Sequence, residues 1–401
     1  MDRLGDIKQR VGQNLRDNIL KFWMDHMVDD ENGGFYGRIS NDMKVDKKAP
    51  KGLVLNSRIL WTFSAAYISL GDKEYLELAD RAYDYLVEYF WDDDYKGGYW
   101  MLDYTGKPID TKKQVYGESF MLYAFAEYYR ASSNKESLDF AIDLYKTLES
   151  KTVDPAYKGY YEGYTVDWLY SQKLMISDAE HPDSVKTMNT HLHMLEAYTN
   201  LLRVWDDEGL RKKLSQLIDI MIGQVLNKKT WHFDLFFDDQ WTSLIDLISY
   251  GHDIEGSWLM VEAAQVLGDE EYIKSVDHLA IRMAEVTLDE GVDGDGGLFN
   301  EGDSQSIFDK IKYWWPQAEA LVGFFNAYQL TEDKKYLDAT IKCWDFIENN
   351  LIDKKAGEWF EYLNDRGMQP GPDEAKADAW KCPYHNARAC MELLARIDQF
   401  K

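Results

Sequence analysis

DDENGGFYG, residues 29–37, decides the fold because the stretch comes back. Acidic or lysine-rich residues, then glycine, then aromatics recur as DDDYKGGYW (92–100), PAYKGYYEGY (155–164), NKKTWHFDLFF (227–237), DGDGGLFNEG (293–302) and KKAGEWFEYLNDRG (354–367). The anchors fall near Gly33, Gly97, Gly159, Trp231, Gly296 and Gly357. Steps of about 60–70 residues mark an internal repeat, and repeats govern the reading of everything between them. The fourth copy has lost its glycines and matches least well.

Between the loops, apolar residues at 3–4 spacing predict helices over Leu55–Ala66, Glu118–Tyr129, Thr190–Val204, Glu255–Val266, Gln317–Tyr328 and Asn386–Ile397. Each is followed by a polar turn, such as Leu70-Gly71-Asp72-Lys73 or Leu267-Gly268-Asp269-Glu270. Acids there favour the start of a second helix. These second helices include Tyr75–Tyr89, Glu270–Thr287 and Lys335–Leu351. The first helix of a pair is richer in small and apolar residues, and the second carries more charge. Concentric rings require that asymmetry: an inner ring packed on all sides, an outer ring facing water. Six loops and six pairs make about twelve helices, an all-α (α/α)6 barrel. The glycine–aromatic loops are expected to form short β-hairpins at the end where a site is built. Prolines number only eight and no linker divides the chain, so one catalytic domain is expected over 1–401. A superhelical solenoid normally uses shorter repeats, of roughly 34–47 residues.

A net charge of −26, spread along the chain, argues against nucleic acid and anionic membranes as partners. The opening MDRLGDIKQRVGQNLRDNIL reads as an amphipathic helix with no apolar core of a signal peptide. No apolar run approaches membrane-spanning length. Cys343, Cys382 and Cys390 are sparse and odd in number, which suits a reducing cytoplasm without disulfides. The 14 Trp, 27 Tyr and 17 Phe suit both a large core and stacking on sugar rings. No P-loop and no GxGxxG after a strand supports nucleotide binding.

Polar residues gather where each inner helix begins. They are Arg58; Tyr116 and Glu118; Asn189, His191 and His193; His252, Asp253 and Glu255; Trp314 and Trp315; Trp380 and His385. In a barrel these positions ring one central pit. Taken singly, each also has an ordinary structural reading. His191 and His193 are i and i+2, so on a helix at most one points inward. His252 and Glu255 have the spacing of a helix cap. Trp314 and Trp315 could simply pack ahead of a helix that starts at Pro316. His26, His181, His232 and His278 lie outside this zone and default to structural or surface roles. The His252–Glu255 spacing also occurs in di-iron bundles, but those need two such motifs, and there is no HExxH. Histidines beside an arginine suit movement of a proton on a carbon next to a carbonyl. Imidazole is a base near neutral pH, and a guanidinium stabilises the enediolate. Two bases, or one base and a rotating intermediate, would invert the centre. Glu255, one turn from His252, is positioned to orient that imidazole.

RILWTFSAAY, NTHLHMLEAYTNLL, GHDIEGSWLMVEAA, KYWWPQAEAL and WKCPYHNARACMELL resemble the N-acylglucosamine 2-epimerase superfamily, in particular its cellobiose 2-epimerase branch. The resemblance runs from about residue 20 to the C-terminus. It implies that His252 and His385 form the acid/base pair at C2 of the reducing-end sugar, with His193 assisting in ring opening or proton relay. It implies that Arg58 binds the C1/C2 oxygens, that Asn189, Tyr116 and Glu255 position sugar and imidazoles, and that Trp315 and Trp380 stack on two sugar rings, Trp314 lying beside them. It implies no metal, no obligatory cofactor, and a disaccharide as partner. The expected oligomeric state is monomer or weak homodimer. Three rivals share the scaffold. They are a monosaccharide epimerase or isomerase, a glycoside hydrolase using two of Glu118, Asp253 and Glu255, and a non-catalytic sugar-binding protein.

Overall fold

The computed structural model describes residues 3–175 and 183–400. Twelve long helices among them form six pairs. The inner helices are α2 (Leu53–Leu70), α4 (Val115–Ser132), α6 (Met188–Leu202), α8 (Tyr250–Leu267), α10 (Trp314–Thr331) and α12 (Tyr384–Gln399). The outer helices are α1 (Arg3–Asn14, continued through a π-helical stretch Leu15–Leu20 to Lys21–His26), α3 (Lys73–Tyr85), α5 (Lys135–Lys151), α7 (Glu208–Ile220), α9 (Glu270–Val286) and α11 (Lys334–Phe346). Neighbouring inner helices pack side by side, and α12 returns to α2, which closes the ring. Burial follows the expected asymmetry. Every residue of α2 from Leu53 to Ala66 is buried. By contrast, α9 buries one stripe, through Val276, Leu279, Ala280, Met283 and Ala284.

The predicted polar turns are helix boundaries. Gly71 and Gly268 end α2 and α8 in the left-handed conformation. Asp269 caps α9 by accepting from Glu271 N and Tyr272 N. The inner helices begin two to five residues earlier than apolar periodicity places them, for instance at Tyr250 and not Glu255. The polar residues that broke the pattern are therefore inside the first turn. That places their side chains on the rim of the barrel.

The recurring loop is a hairpin with a fixed chemistry. Its acidic residue folds the turn back on itself: Asp29 Oδ1 accepts from Glu31 N and Asn32 N, and Asp92 Oδ1 accepts from Asp94 N and Tyr95 N. The other carboxylate oxygen takes a buried lysine from the strand that leads into an inner helix. The pairs are Asp29–Lys51, Asp92–Lys113, Asp154–Lys186, Asp293–Lys312 and Asp353–Lys376, at 2.6–3.0 Å. The chain then passes through positive φ, for example +77° at Gly159, where an added Cβ would lie 2.7 Å from His191 Nε2. The strands join successive repeats: 51–52 with 101–102, 113–114 with 163–164, 186–187 with 236–237, 248–249 with 301–302, and 312–313 with 362–363. Ile39–Ser40 pairs with Ala375–Ala377, so the first repeat closes on the last.

The weak fourth copy has a physical explanation. Asn227 replaces the aspartate and Ile248 the lysine, while Trp231 carries the positive φ of +68°. His232 stands in for the missing ion pair, its ring meeting Asp253 at 2.7 Å and Glu290 at 3.2 Å. Where the ion pair is present, stability should depend on its integrity. Lys113→Met leaves the Asp92 carboxylate buried without its cation, and a loss of about 3–5 kcal/mol in urea unfolding is expected. The double replacement Lys113→Met/Asp92→Asn is expected to cost less than the single one.

Candidate active site

The first two turns of the inner helices surround a cavity of about 310 Å³. Ten of the thirteen rim residues singled out in the sequence line it: Arg58, Tyr116, Asn189, His193, His252, Glu255, Trp314, Trp315, Trp380 and His385. Helix α2 contributes the arginine, α4 the tyrosine, α6 and α8 a histidine each, α10 two tryptophans, and α12 the last histidine.

Each imidazole is held through its Nδ1. His385 Nδ1 lies 2.6 Å from Glu319 Oε1, and His193 Nδ1 lies 2.9 Å from Glu196 Oε2. His252 Nδ1 meets Ser249 Oγ at 2.8 Å. An ionised carboxylate only accepts, so His193 and His385 carry their proton on Nδ1 and keep Nε2 as a free base. Burial holds all three below the ordinary imidazole range. His252 is pushed down to about 3, with His193 adding to the effect. For His385, burial is joined by the positive charges of Arg58 and Arg388. For His193, burial outweighs the raising influence of Glu196. The rings are therefore neutral bases at pH 7. Trp315 leans on two of them, its ring centroid 4.6 Å from His252 and 5.7 Å from His385.

Arg58 is buried and makes no salt bridge among the described residues. Nη2 donates to Tyr116 Oη at 2.9 Å and Nη1 approaches Cys382 Sγ at 3.8 Å. The guanidinium lies 4.1 Å from the Phe120 ring centroid. A fixed positive charge without a carboxylate suits an anion that forms only during reaction. Four buried polar atoms of lining residues have no partner among the described residues: Arg58 Nε, Asn189 Oδ1, Trp314 Nε1 and Glu255 Oε2. They are groups free to bond a polar ligand. Trp380 stands at the rim, 41% exposed, 5.9 Å from the Trp100 ring.

The model of the N-acylglucosamine 2-epimerase (GlcNAc 2-epimerase) family matches residues 34–389. The chain belongs to this family. Among its relatives, the cellobiose 2-epimerase of Bacteroides fragilis is 44% identical over 389 residues, 97% of this chain and 98% of that protein. The cellobiose 2-epimerase of Dictyoglomus turgidum is 42% identical over 98% of this chain and 99% of its own. The solved structure of cellobiose 2-epimerase from Bacillus thermoamylovorans superposes with a TM-score of 0.93 at 42% identity, covering 98% of this chain and 100% of that one.

Several polar residues of this family member serve the hairpins and not the cavity. Glu118 accepts from Gly98 N at 2.9 Å, and Asp253 accepts from Phe233 N at 2.7 Å while bonding His232. His191 donates from Nδ1 to the Thr187 carbonyl and accepts from Tyr160 N at 3.0 Å. All three occupy the fourth position of their inner helix and pin the hairpin that precedes it in the chain. His193, two residues on, is thereby the one that faces inward. Two of the three carboxylates a hydrolase would draw on are thus committed to structure. Glu255 also departs from expectation. It does not orient His252, which is held by Ser249; it sits 3.9 Å from His385 Nδ1 and accepts from Arg388 at 2.7 Å. Of the other histidines, His26 and His278 are exposed, His232 is structural, and His181 lies outside the described residues.

Glu196, Glu319 and Arg388 were not singled out in the sequence. A signal was present: each is a charge inside an apolar inner helix, and buried charges are paired. Glu255, Glu319 and His385 each offer one ligand atom within 4.8 Å of the others, a metal-like spacing. Arg388 Nη2, however, donates to both carboxylates at 2.7 Å, so a guanidinium holds the cation's place. The residues do not fit a metal ion there.

Proposed function

We propose that the protein inverts C2 of the reducing-end sugar of β-1,4-linked disaccharides, cellobiose first, with lactose and mannobiose as further substrates. One observation carries the chemistry: His252 and His385 share Trp315 as a neighbour, both are held at Nδ1, and both are neutral in a cavity that Arg58 also lines. His193 assists opening of the ring to the aldehyde. One imidazole Nε2 then takes the C2 proton. The electron pair of the broken C–H bond moves to O1, giving a cis-enediolate whose charge rests beside the Arg58 guanidinium. Rotation about C1–C2 presents the other face, an imidazolium returns a proton to C2, and the ring closes. Asn189, Tyr116 and Glu255 position the open sugar, and Trp315 and Trp380, with Trp314 beside them, give apolar faces to two rings. No cofactor takes part. The disaccharide is favoured by the second platform at the rim and by the names of the relatives. The chain acts as one catalytic unit, as a monomer or weak homodimer. Its three free thiols, all buried, suit the cytoplasm, and among the described residues no helix is long and apolar enough to cross a membrane.

Separate incubations with cellobiose, mannobiose, mannose and N-acetylglucosamine, read by NMR, test the substrate. Glucosyl-mannose is expected from cellobiose; conversion of a monosaccharide alone would overturn the disaccharide reading, and free glucose would point to hydrolysis. In deuterium oxide the product is expected to carry deuterium at C2, because a proton held on imidazole exchanges with solvent. Complete retention of the substrate hydrogen would contradict this mechanism. Treatment with a chelator is expected to leave kcat unchanged.

A further inference from the structure

Beneath the cavity one guanidinium joins three carboxylates. Arg388 Nη1 donates to Glu196 Oε1 and lies within hydrogen-bonding distance of Tyr384 Oη. Nη2 donates to Glu255 Oε1 and Glu319 Oε1, each at 2.7 Å. The group is 1% exposed and stacks 4.8 Å from the Trp258 ring centroid. The four charged residues come from α6, α8, α10 and α12, so they meet only when the ring closes. Two of the carboxylates are also the partners of imidazoles. Glu196 holds His193 Nδ1 through its other oxygen, and Glu319 holds His385 Nδ1 through the same oxygen that meets Arg388. Trp258 Nε1 donates to Glu319 Oε2 at 3.0 Å, which fixes that carboxylate in one plane.

We propose that Arg388 is the positioning residue that sets the tautomer of both His193 and His385. The proposal rests on the reading that these two rings transfer protons. Three buried carboxylates cannot all stay ionised without a cation among them. The planar fork of arginine lets Glu196 and Glu319 remain anions at the same time, one on each Nη. Each anion accepts the Nδ1 proton of its own histidine, and each Nε2 lone pair is left for the substrate. Glu255 shares Nη2 with Glu319 and is the carboxylate that keeps a proton, since two anions on one nitrogen repel. One side chain thereby prepares two bases on different helices. A merely structural ion pair would keep the helices together without selecting which ring nitrogen carries hydrogen.

The test uses the intact enzyme with nitrogen-15-labelled histidines, free of substrate, with the two rings assigned through His193→Asn and His385→Asn. At pH 7 both rings are expected to be neutral with hydrogen on Nδ1. In Arg388→Gln both are expected to lose that preference, with kcat down at least about 100-fold and KM for cellobiose changed less than about threefold. Arg388→Lys, whose compact ammonium does not span the three carboxylates, is expected to behave like Arg388→Gln. Hydrogen on Nε2 in the unaltered protein overturns the proposal without any variant. So does a folded Arg388→Gln or Arg388→Lys with unchanged ring signals. Because the spectra need no substrate, a wrong sugar would not disturb them. Unaltered tautomers with an active His385→Ala would instead refute the proton-transfer reading.

Discussion

Replacement of His385 by alanine is expected to lower kcat for cellobiose epimerisation by about 10²–10⁴-fold, and replacement of His252 by a similar factor. In the proposed mechanism each ring is a base whose removal leaves no substitute. The nearest carboxylates are engaged, Glu319 by Arg388 and Trp258, and the next imidazole, on α6, is tied to Glu196. The rings line a cavity, so their truncation does not leave a void in packed core, and thermal unfolding is expected to move little. KM should change far less than kcat, since a base acts on the transition state and the tryptophan platforms carry the binding. If either variant keeps more than about a tenth of the activity, the two histidines do not act as a pair. Acid should inactivate reversibly. All three rings have lowered affinity for protons in the folded state. Their contribution to stability is therefore present above the unfolded imidazole value, near 6.5, and is lost as pH falls below it.

Arg58 gives the second large effect, with a stability signature of the opposite kind. Arg58→Leu is expected to lower kcat by about 10²–10³-fold through loss of enediolate stabilisation. Removing a charge that has no carboxylate partner should not weaken the fold, because its burial is not offset by an ion pair. The urea midpoint is therefore expected to stay level or rise while activity falls. A variant that loses stability and activity together would show that the guanidinium is part of the scaffold. Lys at this position is not expected to restore the rate. Its point charge lacks the planar contact with Phe120 and the paired donors toward Tyr116 and Cys382.

Much of the site was legible in the sequence because a six-fold pattern puts the same helix position at the same rim. Arg58, Tyr116, His193, His252, Trp315 and His385 stand near equivalent places in their repeats. What was misread follows from the same regularity. Glu118, His191 and Asp253 also recur in register, and they recur because every hairpin needs an acceptor for a backbone N–H. A structural demand repeated around a ring leaves the same trace in sequence as a shared pocket. The fourth hairpin was faint for a related reason, since His232 with Asp253 and Glu290 replaces an aspartate–lysine pair by a different but equivalent contact.

The sequence by itself determined the repeat, the alternation of buried and half-buried helices, the turns at Gly71 and Gly268, and the set of residues brought to one end. Turn chemistry and a period of 3.6 act between near neighbours, so they are written along the chain. Helical geometry left His191 and His193 open and the family resemblance favoured His193; tertiary structure decided that Ser249 and not Glu255 holds His252, and that Glu196, Glu255 and Glu319 converge on Arg388. The last of these depends on which inner helices lie beside one another after the ring has closed. Arg388 and its carboxylate partners are up to 192 positions apart, and no local preference connects them.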